Sequence, residues 1–350
     1  MNSNIHRSRN FKNPFGLLLR MLLSGQWAAY SALIHEAMRL ISTPLNGLLS
    51  RRERRLRNSV PEKTAPVILV VGAPRSGTTL VYQTLCRYMT VTYFSNLTSL
   101  FPKAPLAATK MFRWLPRQTA ADFKNFYGQT AGLSGPNDGF TVWNQWLGDD
   151  RYVPRTDLSA AEQHAMAQFF RVWCAAFGKP FLNKNNRNTG CLDLLSRAIP
   201  QARILVVRRN PVWVAQSLIN ARMHVQGDKS VGWGLHSQSS NMTEDPLAYV
   251  DDVCRQVLQI EAELDEQLGH IPPDRIIEFT YEGFCEAPDT TLRGIAARIP
   301  GVQLNEDLIQ SELRPFAASA KFTLSPAEKD RLLSRLQTPG HAMALSSAEK

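Results

Sequence analysis

The sequence lacks the features that mark an extracellular or membrane-spanning protein. Its five cysteines are scattered, form no CxxC pair and are odd in number. This spacing argues against a disulfide framework and a zinc site, and it fits a reducing compartment. The apolar stretches are too short for a transmembrane helix, which needs about 18 consecutive apolar residues. A secretory signal is not expected, because Arg20 interrupts the apolar stretch near the start.

Acidic residues are scarce at the beginning of the chain. Residues 1–60 hold ten Lys/Arg and two Asp/Glu, so they carry a net charge of +8 out of the +10 of the whole chain. The other residues are close to neutral, and the pI of about 9.6 therefore describes this segment rather than a basic face on the core. Nucleic acid is not an expected partner for that reason.

The pattern of residues 1–60 predicts a basic amphipathic helical segment that is distinct from a domain at 61–350. The apolar residues of "FGLLLRMLLSGQWAAYSALIHEAMRLI" recur at roughly helical spacing, and "RRERRLR" follows at 51–57. Such a pattern suits peripheral contact of residues 13–57 with an anionic membrane surface. The plainer interpretation, which is preferred, is a helix packed on the core and followed by a solvated basic linker.

Strand and helix patterns alternate beyond this segment. The apolar, β-branched run "PVILVVG" predicts a strand buried on both faces, and "PFLNKN", "ARILVVRRNP" and "DRIIEFTYEGF" predict three more. One of the helical patterns starts at a capping box of Ser159 and Glu162 and ends before Gly178. The alternation predicts an α/β fold, with a P-loop-like parallel sheet flanked by helices on both faces and an N-terminal helical appendage.

A phosphate-binding loop without its lysine follows the first strand. In "VILVVGAPRSGTTLVYQTL", Gly72 and Gly77 keep the spacing of G-x-x-x-x-G-K-[ST], but Thr78 stands where the lysine belongs. Arg75 is the only cation of the loop. Backbone amides and the helix N-terminus still suit a phosphate. Since no later apolar run ends in an aspartate placed for magnesium, the sequence predicts a site without a metal.

A second anion site is predicted where "ARILVVRRNP" ends. Arg208 and Arg209 follow that strand, and Ser217 lies eight residues after Arg209, about two turns into the next helix. A strand end and the adjacent helix can present both groups to one anion. Two anion sites on one sheet edge suit a ligand with phosphates at two ends.

The stretches "GAPRSGTTL" and "ARILVVRRNPVWVAQS" resemble the PAPS-dependent sulfotransferases, especially the bacterial and tyrosylprotein types. PAPS is 3′-phosphoadenosine 5′-phosphosulfate. The resemblance, which spans about 66–300, implies that the first loop holds the 5′-phosphosulfate and the second stretch the 3′-phosphate. "FTYEGFCEAPDTTL" resembles a segment whose tyrosine contacts the nucleotide. The implied binding residues are Arg75, Ser76, Gly77, Thr78, Thr79, Arg209, Ser217 and Tyr281.

The resemblance also suggests the groups that act in catalysis. "FLNKNNRN" resembles a family segment whose lysine stabilises the transferring group, which implies Lys184 beside Arg75. Relatives carry a glutamate after the first helix, where this chain has Asn96, which cannot accept a proton. Asp138 in "GLSGPNDGF" is the candidate general base.

The resemblance implies metal-free transfer of a sulfuryl group from PAPS to a hydroxyl acceptor. Trp143 and Trp146 are expected to form a wall of the acceptor site, and the aromatic and polar residues at 137–152 suit a sugar as well as a phenol. Because no secretory anchor is expected, a glycan, glycolipid or natural product is preferred over a protein tyrosine. The expected location is cytoplasmic, with peripheral contact at the inner membrane face. Two alternatives stay open: a phosphotransferase or nucleotide kinase with a degenerate loop, and a non-catalytic nucleotide-binding protein at the membrane.

Overall fold

Four short strands, all parallel, form the sheet at the centre of the protein. The computed structural model describes residues 14–23, 30, 33, 37–38, 41–59, 65–114, 132–237, 244–318 and 321–336. Within them the strands lie in the order β2-β1-β3-β4. They are β1 (Val67–Val71), β2 (Phe181–Lys184), β3 (Ala202–Arg208) and β4 (Ile276–Thr280).

Helices connect and cover these strands. In chain order they are α1 (Pro14–Leu23), α2 (Thr43–Arg57), α3 (Thr78–Tyr88), α4 (Asn96–Leu100), α5 (Pro105–Met111), α6 (Phe140–Leu147), α7 (Ala160–Phe177), α8 (Asn186–Thr189), α9 (Leu192–Ala198), α10 (Pro211–Gln226), α11 (Ala248–Gly269), α12 (Tyr281–Glu286), α13 (Pro288–Arg298), α14 (Glu306–Glu312) and α15 (Pro326–Leu336).

The central strand β1 is buried on both faces of the sheet. Its side chains alternate between two apolar clusters, because successive side chains of a strand point to opposite faces. Val67, Leu69 and Val71 pack with α6, α7 and α9. Ile68 and Val70 pack with α3, α12 and α13. The predicted α/β fold, with a parallel sheet between helical layers, is confirmed.

The helix boundaries follow the local signals in most places. Ser159 and Glu162 form the expected capping box of α7, and Gly178 ends that helix with a φ of 62°. Asn210 accepts a hydrogen bond from the backbone of Val212 and so begins α10. The helices α4, α5, α6, α8, α12 and α14 were not anticipated from the sequence.

The basic run at 51–57 is helical, so the expectation of a solvated linker is wrong. It forms the second half of α2, which packs against α5 and α7. Leu49 joins an apolar cluster with Leu100 and Phe101. Glu53 is 1% exposed, and its carboxylate accepts hydrogen bonds from the Ala107 amide at 2.7 Å and from Arg57 Nε at 3.0 Å. The division of the chain at residue 60 stays a prediction.

No helix in the described ranges has both the length and the apolar character needed to cross a membrane.

Candidate active site

Three strands bring the predicted site residues to one edge of the sheet. Val70 lies beside Lys184 of β2, and Val71 lies beside Val206 of β3. The loop after β1, the last residue of β2 and the arginines at the end of β3 are therefore neighbours. Ligands of open α/β sheets bind at this carboxyl edge.

Both glycines of the loop are required by close contacts. A Cβ on Gly72 would lie 2.4 Å from the carbonyl oxygen of Val207, and one on Gly77 would lie 2.1 Å from the Tyr281 ring. Both glycines also have positive φ, 150° and 92°. Arg75 adopts a φ of 75°, which is uncommon for a residue with a side chain. The glycine spacing that suggested a phosphate loop thus has a steric cause.

The loop leaves hydrogen-bond donors where α3 begins. Gly77 is the N-cap of α3 and supplies no side chain to the amides of the first turn. Ser76 is completely buried, and its hydroxyl has no hydrogen-bond partner among the described residues. Thr78 is buried as the first residue of the helix, and Thr79 is partly exposed as the second. Because buried polar groups are normally paired, this set fits an anion.

Thr189 braces the loop from α8. Its hydroxyl accepts a hydrogen bond from the Gly72 amide at 3.1 Å and donates one to the Gly72 carbonyl at 3.0 Å. Thr189 is separated from Gly72 by more than a hundred residues, and no motif in the sequence pointed to it.

The two predicted anion sites are joined by arginine contacts. Arg75 Nε donates to Ser217 Oγ at 2.9 Å, and Arg209 Nη1 donates to the Arg75 carbonyl at 3.0 Å. The Arg209 guanidinium lies 4.7 Å from the centre of the Tyr281 ring. Burial lowers the pKa of Arg209, and the Glu282 carboxylate, 3.9 Å from Arg209 Nε, acts in the opposite direction.

Arg208 is directed away from this group. It forms ion pairs with Glu261 and Asp265 of α11, and its Nε lies 3.2 Å from Glu278 of β4. Of the two arginines at the end of β3, only Arg209 therefore contacts the loop in the described structure.

Lys184 is a buried cation near the loop. It is 6% exposed at the end of β2. Burial lowers its pKa most, the Asp138 carboxylate acts in the opposite direction, and the Arg75 guanidinium lowers it further. Lys184, Asp138 and Arg75 are thus close enough to interact electrostatically.

Side chains from β2 and its end hold the loop that carries Asp138. Asn183 Nδ2 donates to the Asn137 carbonyl at 3.2 Å, and Asn185 Nδ2 donates to the Asp138 carbonyl at 3.2 Å. The Tyr82 hydroxyl of α3 also donates to the Asn137 carbonyl, at 3.1 Å. The backbone around Asp138 is therefore tied to the same elements that carry the phosphate loop and Lys184.

Asn96, where relatives carry a glutamate, supports this loop as well. Its Nδ2 donates to the Gly132 carbonyl at 2.7 Å, and its Oδ1 accepts from Asn137 Nδ2 at 2.8 Å. An amide can donate and accept at once, which a carboxylate cannot do. The side chain at this position thus positions the Asp138 loop.

The expectation that Trp143 and Trp146 wall the acceptor site is wrong. They are 0% and 4% exposed and belong to the core cluster that α6, α7 and α9 form on one face of the sheet. Because α6 places them four and seven positions after Gly139, they share the inward face of the helix. Trp143 Nε1 donates to Asn183 Oδ1 at 2.8 Å.

Phe140 lies between two guanidinium groups that the sequence did not single out. Arg187 and Arg151 lie 4.0 Å and 4.1 Å from the centre of its ring. Arg187 is 1% exposed and donates to the carbonyls of Gly148 and Phe140, at 2.6 Å and 3.0 Å. Burial lowers the pKa of Arg187 to about 10. Arg187 thus fixes both ends of α6, next to Asp138.

The fold and this geometry are those of an α/β protein that gathers cations and hydroxyl donors at the carboxyl edge of its sheet. The family model described as the sulfotransferase family matches residues 66–305. This match covers more than half of the chain, and the protein therefore belongs to the sulfotransferase family.

Solved structures of bacterial sulfotransferases share the fold. STF1 from Mycobacterium tuberculosis H37Rv matches with a TM-score of 0.54 at 12% identity, over 92% of this chain and 90% of that chain. STF9 from Mycobacterium avium matches with a TM-score of 0.51 at 14% identity, over 86% and 81% of the two chains. A search of curated proteins finds no significant match.

Proposed function

We propose that this sulfotransferase takes its sulfuryl group from PAPS and transfers it to a hydroxyl acceptor without a metal ion. When bound, PAPS supplies the sulfuryl group, whose sulfur forms a bond to the acceptor oxygen as its bond to the oxygen of the 5′-phosphate breaks. The observation that carries the proposal is the convergence of Arg75, Ser217, Arg209 and Tyr281 on the loop at 72–79.

The binding residues divide between the two ends of the donor. We assign the 5′-phosphosulfate to the amides that begin α3 and to the hydroxyls of Ser76, Thr78 and Thr79. The unpaired, buried hydroxyl of Ser76 supports this assignment. We assign the 3′-phosphate to Arg209 and Ser217, since hydrogen bonds to Arg75 hold both side chains beside the loop. Tyr281 stacks on Arg209 and lies against Gly77.

The catalytic roles that we propose follow from the charges of Lys184, Arg75 and Asp138. We propose that Lys184 and Arg75 stabilise the negative charge that develops on the oxygen leaving sulfur. We propose that Asp138 accepts the proton of the acceptor hydroxyl as that oxygen attacks. The asparagine contacts that hold the Asp138 backbone support this role, because a general base acts only from a defined position.

The acceptor is proposed to be a polar hydroxyl compound, such as a glycan, glycolipid or natural product. The burial of Trp143 and Trp146 removes the aromatic wall that was expected for the acceptor site. The remaining support is the exposed run of Asp149, Asp150 and Arg151 after α6, next to the Arg187 and Phe140 pair.

Calorimetric titration with 3′,5′-ADP, the desulfated product of PAPS, tests the donor assignment. We expect binding that persists in EDTA. Arg209→Ala should weaken it by about 2–4 kcal/mol, because a buried charge contact is lost. Arg197→Ala, on the exposed end of α9, serves as the matched control and should bind like the wild type. Absence of binding by the wild-type protein would contradict the proposal.

Transfer of radiolabelled sulfate from PAPS into a cell extract separates an enzyme from a non-catalytic binder. We expect label in the extract with the wild-type protein. Nucleotide binding without any transfer would favour the non-catalytic alternative.

A further inference from the structure

Helix α2 carries an exposed stripe that mixes leucine with arginine. Leu45, Leu48, Arg52 and Arg55 recur at intervals of three and four residues, so they lie along one side of the helix. All four are exposed, and Leu48 keeps 67% of its surface accessible to solvent. We call these four residues the outer stripe of α2. Exposed leucines next to clustered cations are typical of a contact surface.

The buried side of α2 fixes this orientation. Asn46 Oδ1 accepts a hydrogen bond from the Lys103 amide at 3.2 Å, and Glu53 accepts one from the Ala107 amide at 2.7 Å. Leu49 packs in the cluster formed with α4 and α5. Rotation of α2 that hid the leucines would leave these buried polar groups without partners. The exposure of the outer stripe is therefore a consequence of the fold.

Helix α1 exposes leucines in the same way. Leu18, Leu19, Leu22 and Leu23 are all accessible to solvent, and Leu23 is 76% exposed. Residues four apart share a side of a helix, so these residues form an apolar face on α1. Both described N-terminal helices thus present leucine to their surroundings.

The cations around these leucines define the charge of the partner. Arg51 and Arg54 are exposed beside the outer stripe, and residues 1–60 carry a net charge of +8. In helices that lie on bilayers, leucines enter the boundary of the acyl chains while arginines stay with the phosphates of the headgroups. A second copy of this chain would bring two segments of +8 together, and their repulsion disfavours that occupant.

We propose that the outer stripe of α2 and the leucine face of α1 dock this protein onto an anionic lipid surface. The leucines supply apolar contact, and the arginines supply attraction to the headgroups. The proposal concerns helices outside the candidate active site, and it holds whichever sulfate donor the site uses.

Flotation of the full chain with lipid vesicles tests this proposal. We expect binding to vesicles that contain phosphatidylglycerol and little binding to vesicles of pure phosphatidylcholine. Binding should weaken between about 0.1 M and about 1 M salt, where the screening length falls from about 10 Å to about 3 Å. Because no nucleotide is present, the result is independent of the donor assignment.

Two variants and their matched controls locate the contact. Arg52→Gln with Arg55→Gln should weaken vesicle binding by about 10- to 30-fold. Leu48→Ser should weaken it about tenfold. The controls are Arg197→Gln with Arg255→Gln, which remove the same charge from exposed sites, and Met223→Ser, which changes an exposed apolar side chain elsewhere. Both controls should bind vesicles like the wild type, and melting temperatures should show that all variants fold.

Three results would overturn the proposal. The first is no binding of the wild-type chain to anionic vesicles at low salt. The second is equal loss of binding in the variants and their controls. The third is a monomer–dimer equilibrium that the Leu48→Ser change abolishes while vesicle binding is unaffected, since the stripe would then join two copies.

Discussion

Gly77 is the residue at which the loop after β1 meets the first residue of α12. Its Cα lies against the Tyr281 ring, which in turn stacks on Arg209. A larger residue would have to displace the tyrosine, and the φ of 92° would add strain. The glycine is therefore needed for the contact as well as for the turn.

We expect Gly77→Ala to lower the affinity for 3′,5′-ADP at least about tenfold, because the added methyl group overlaps the tyrosine ring. Isothermal titration measures this. Gly294→Ala is the control, since that glycine lies in α13 with open space around it. It should bind the nucleotide normally and gain up to about 1 kcal/mol in stability. Equal nucleotide affinity in both variants would contradict the contact at Gly77.

Asp138 is the second residue whose role can be isolated. Asp138→Asn keeps the shape of the side chain and removes its ability to accept a proton. We expect turnover to fall by about 10²- to 10⁴-fold with unchanged affinity for 3′,5′-ADP. Sulfate-transfer rates and calorimetry measure the two effects. Transfer at the wild-type rate would rule out Asp138 as the base.

Lys184 connects a proposed catalytic role with a cost in stability. Burial lowers its pKa below the value in the unfolded chain, so between these two pKa values the unfolded state binds more protons. The free-energy cost of burying the charged Lys184 is fully present below the pKa that Lys184 has in the folded protein. This cost disappears as the pH rises toward the pKa of the lysine in the unfolded chain. We expect Lys184→Met, without nucleotide, to be more stable than the wild type by about 1 kcal/mol or more at neutral pH.

Urea unfolding at several pH values measures this difference. The advantage of Lys184→Met should shrink as pH approaches about 10, while sulfate transfer should be lost at every pH. A variant that is less stable than the wild type at neutral pH would show that the lysine is well compensated in the folded protein.

At the scale of elements, helix α5 depends on a carboxylate from α2. Its N-cap, Ala104, has no side chain that can cap the helix, and the buried Glu53 accepts from the third residue, Ala107. A negative charge at a helix N-terminus also favours the helix dipole. The buried Glu53 thus helps to connect the basic helix α2 to the domain.

We expect Glu53→Ala to destabilise the protein by about 1–3 kcal/mol, since it leaves a buried amide unpaired. Arg54→Ala, on an exposed side of the same helix, should change stability by less than about 0.5 kcal/mol. Thermal or urea unfolding compares them. A similar small change in both variants would mean that α2 contributes little to the fold.

The hydrogen bond between Glu53 and the Ala107 amide explains why removal of residues 1–58 does not test membrane binding alone. That truncation would expose the apolar cluster of Leu100 and Phe101 and would leave the Ala107 amide unpaired. A loss of vesicle binding could then result from the lower stability of the truncated protein as well as from the missing helices. Point changes on the outer stripe avoid this problem.

Elements with strong local signals were predictable from the sequence. The strand β1 and its loop are contiguous, and the apolar run and glycine spacing define them together. The tryptophans of α6 were misjudged because a short helix after a turn leaves too few residues to show its period. Trp143 and Trp146 then resembled exposed aromatic residues of a loop.

The side chains that hold the candidate site in place could not be predicted from local sequence signals. Asn96, Asn137 and Asn183 meet through side-chain hydrogen bonds although they come from separate segments. Thr189 reaches Gly72 across an even longer stretch of chain. Asparagine and threonine give no periodic or spacing signal, so only the folded chain shows which of them are neighbours.

At the scale of the whole molecule, residues from 72 to 281 build one site on one sheet edge. The loop after β1, the end of β2, the arginine after β3 and the tyrosine after β4 all contribute. Residues 1–60, which include the helices α1 and α2 outside this edge, carry +8 of the net charge of +10. The molecule thus separates the proposed chemistry from the proposed membrane contact.

A crystal structure with 3′,5′-ADP shows whether the two anion sites hold the two ends of one nucleotide. We expect the 5′-phosphate at the amides that follow Gly77 and the 3′-phosphate at Arg209 and Ser217, with no divalent cation between them. A nucleotide bound elsewhere on the protein, or phosphates held through a metal ion, would contradict it.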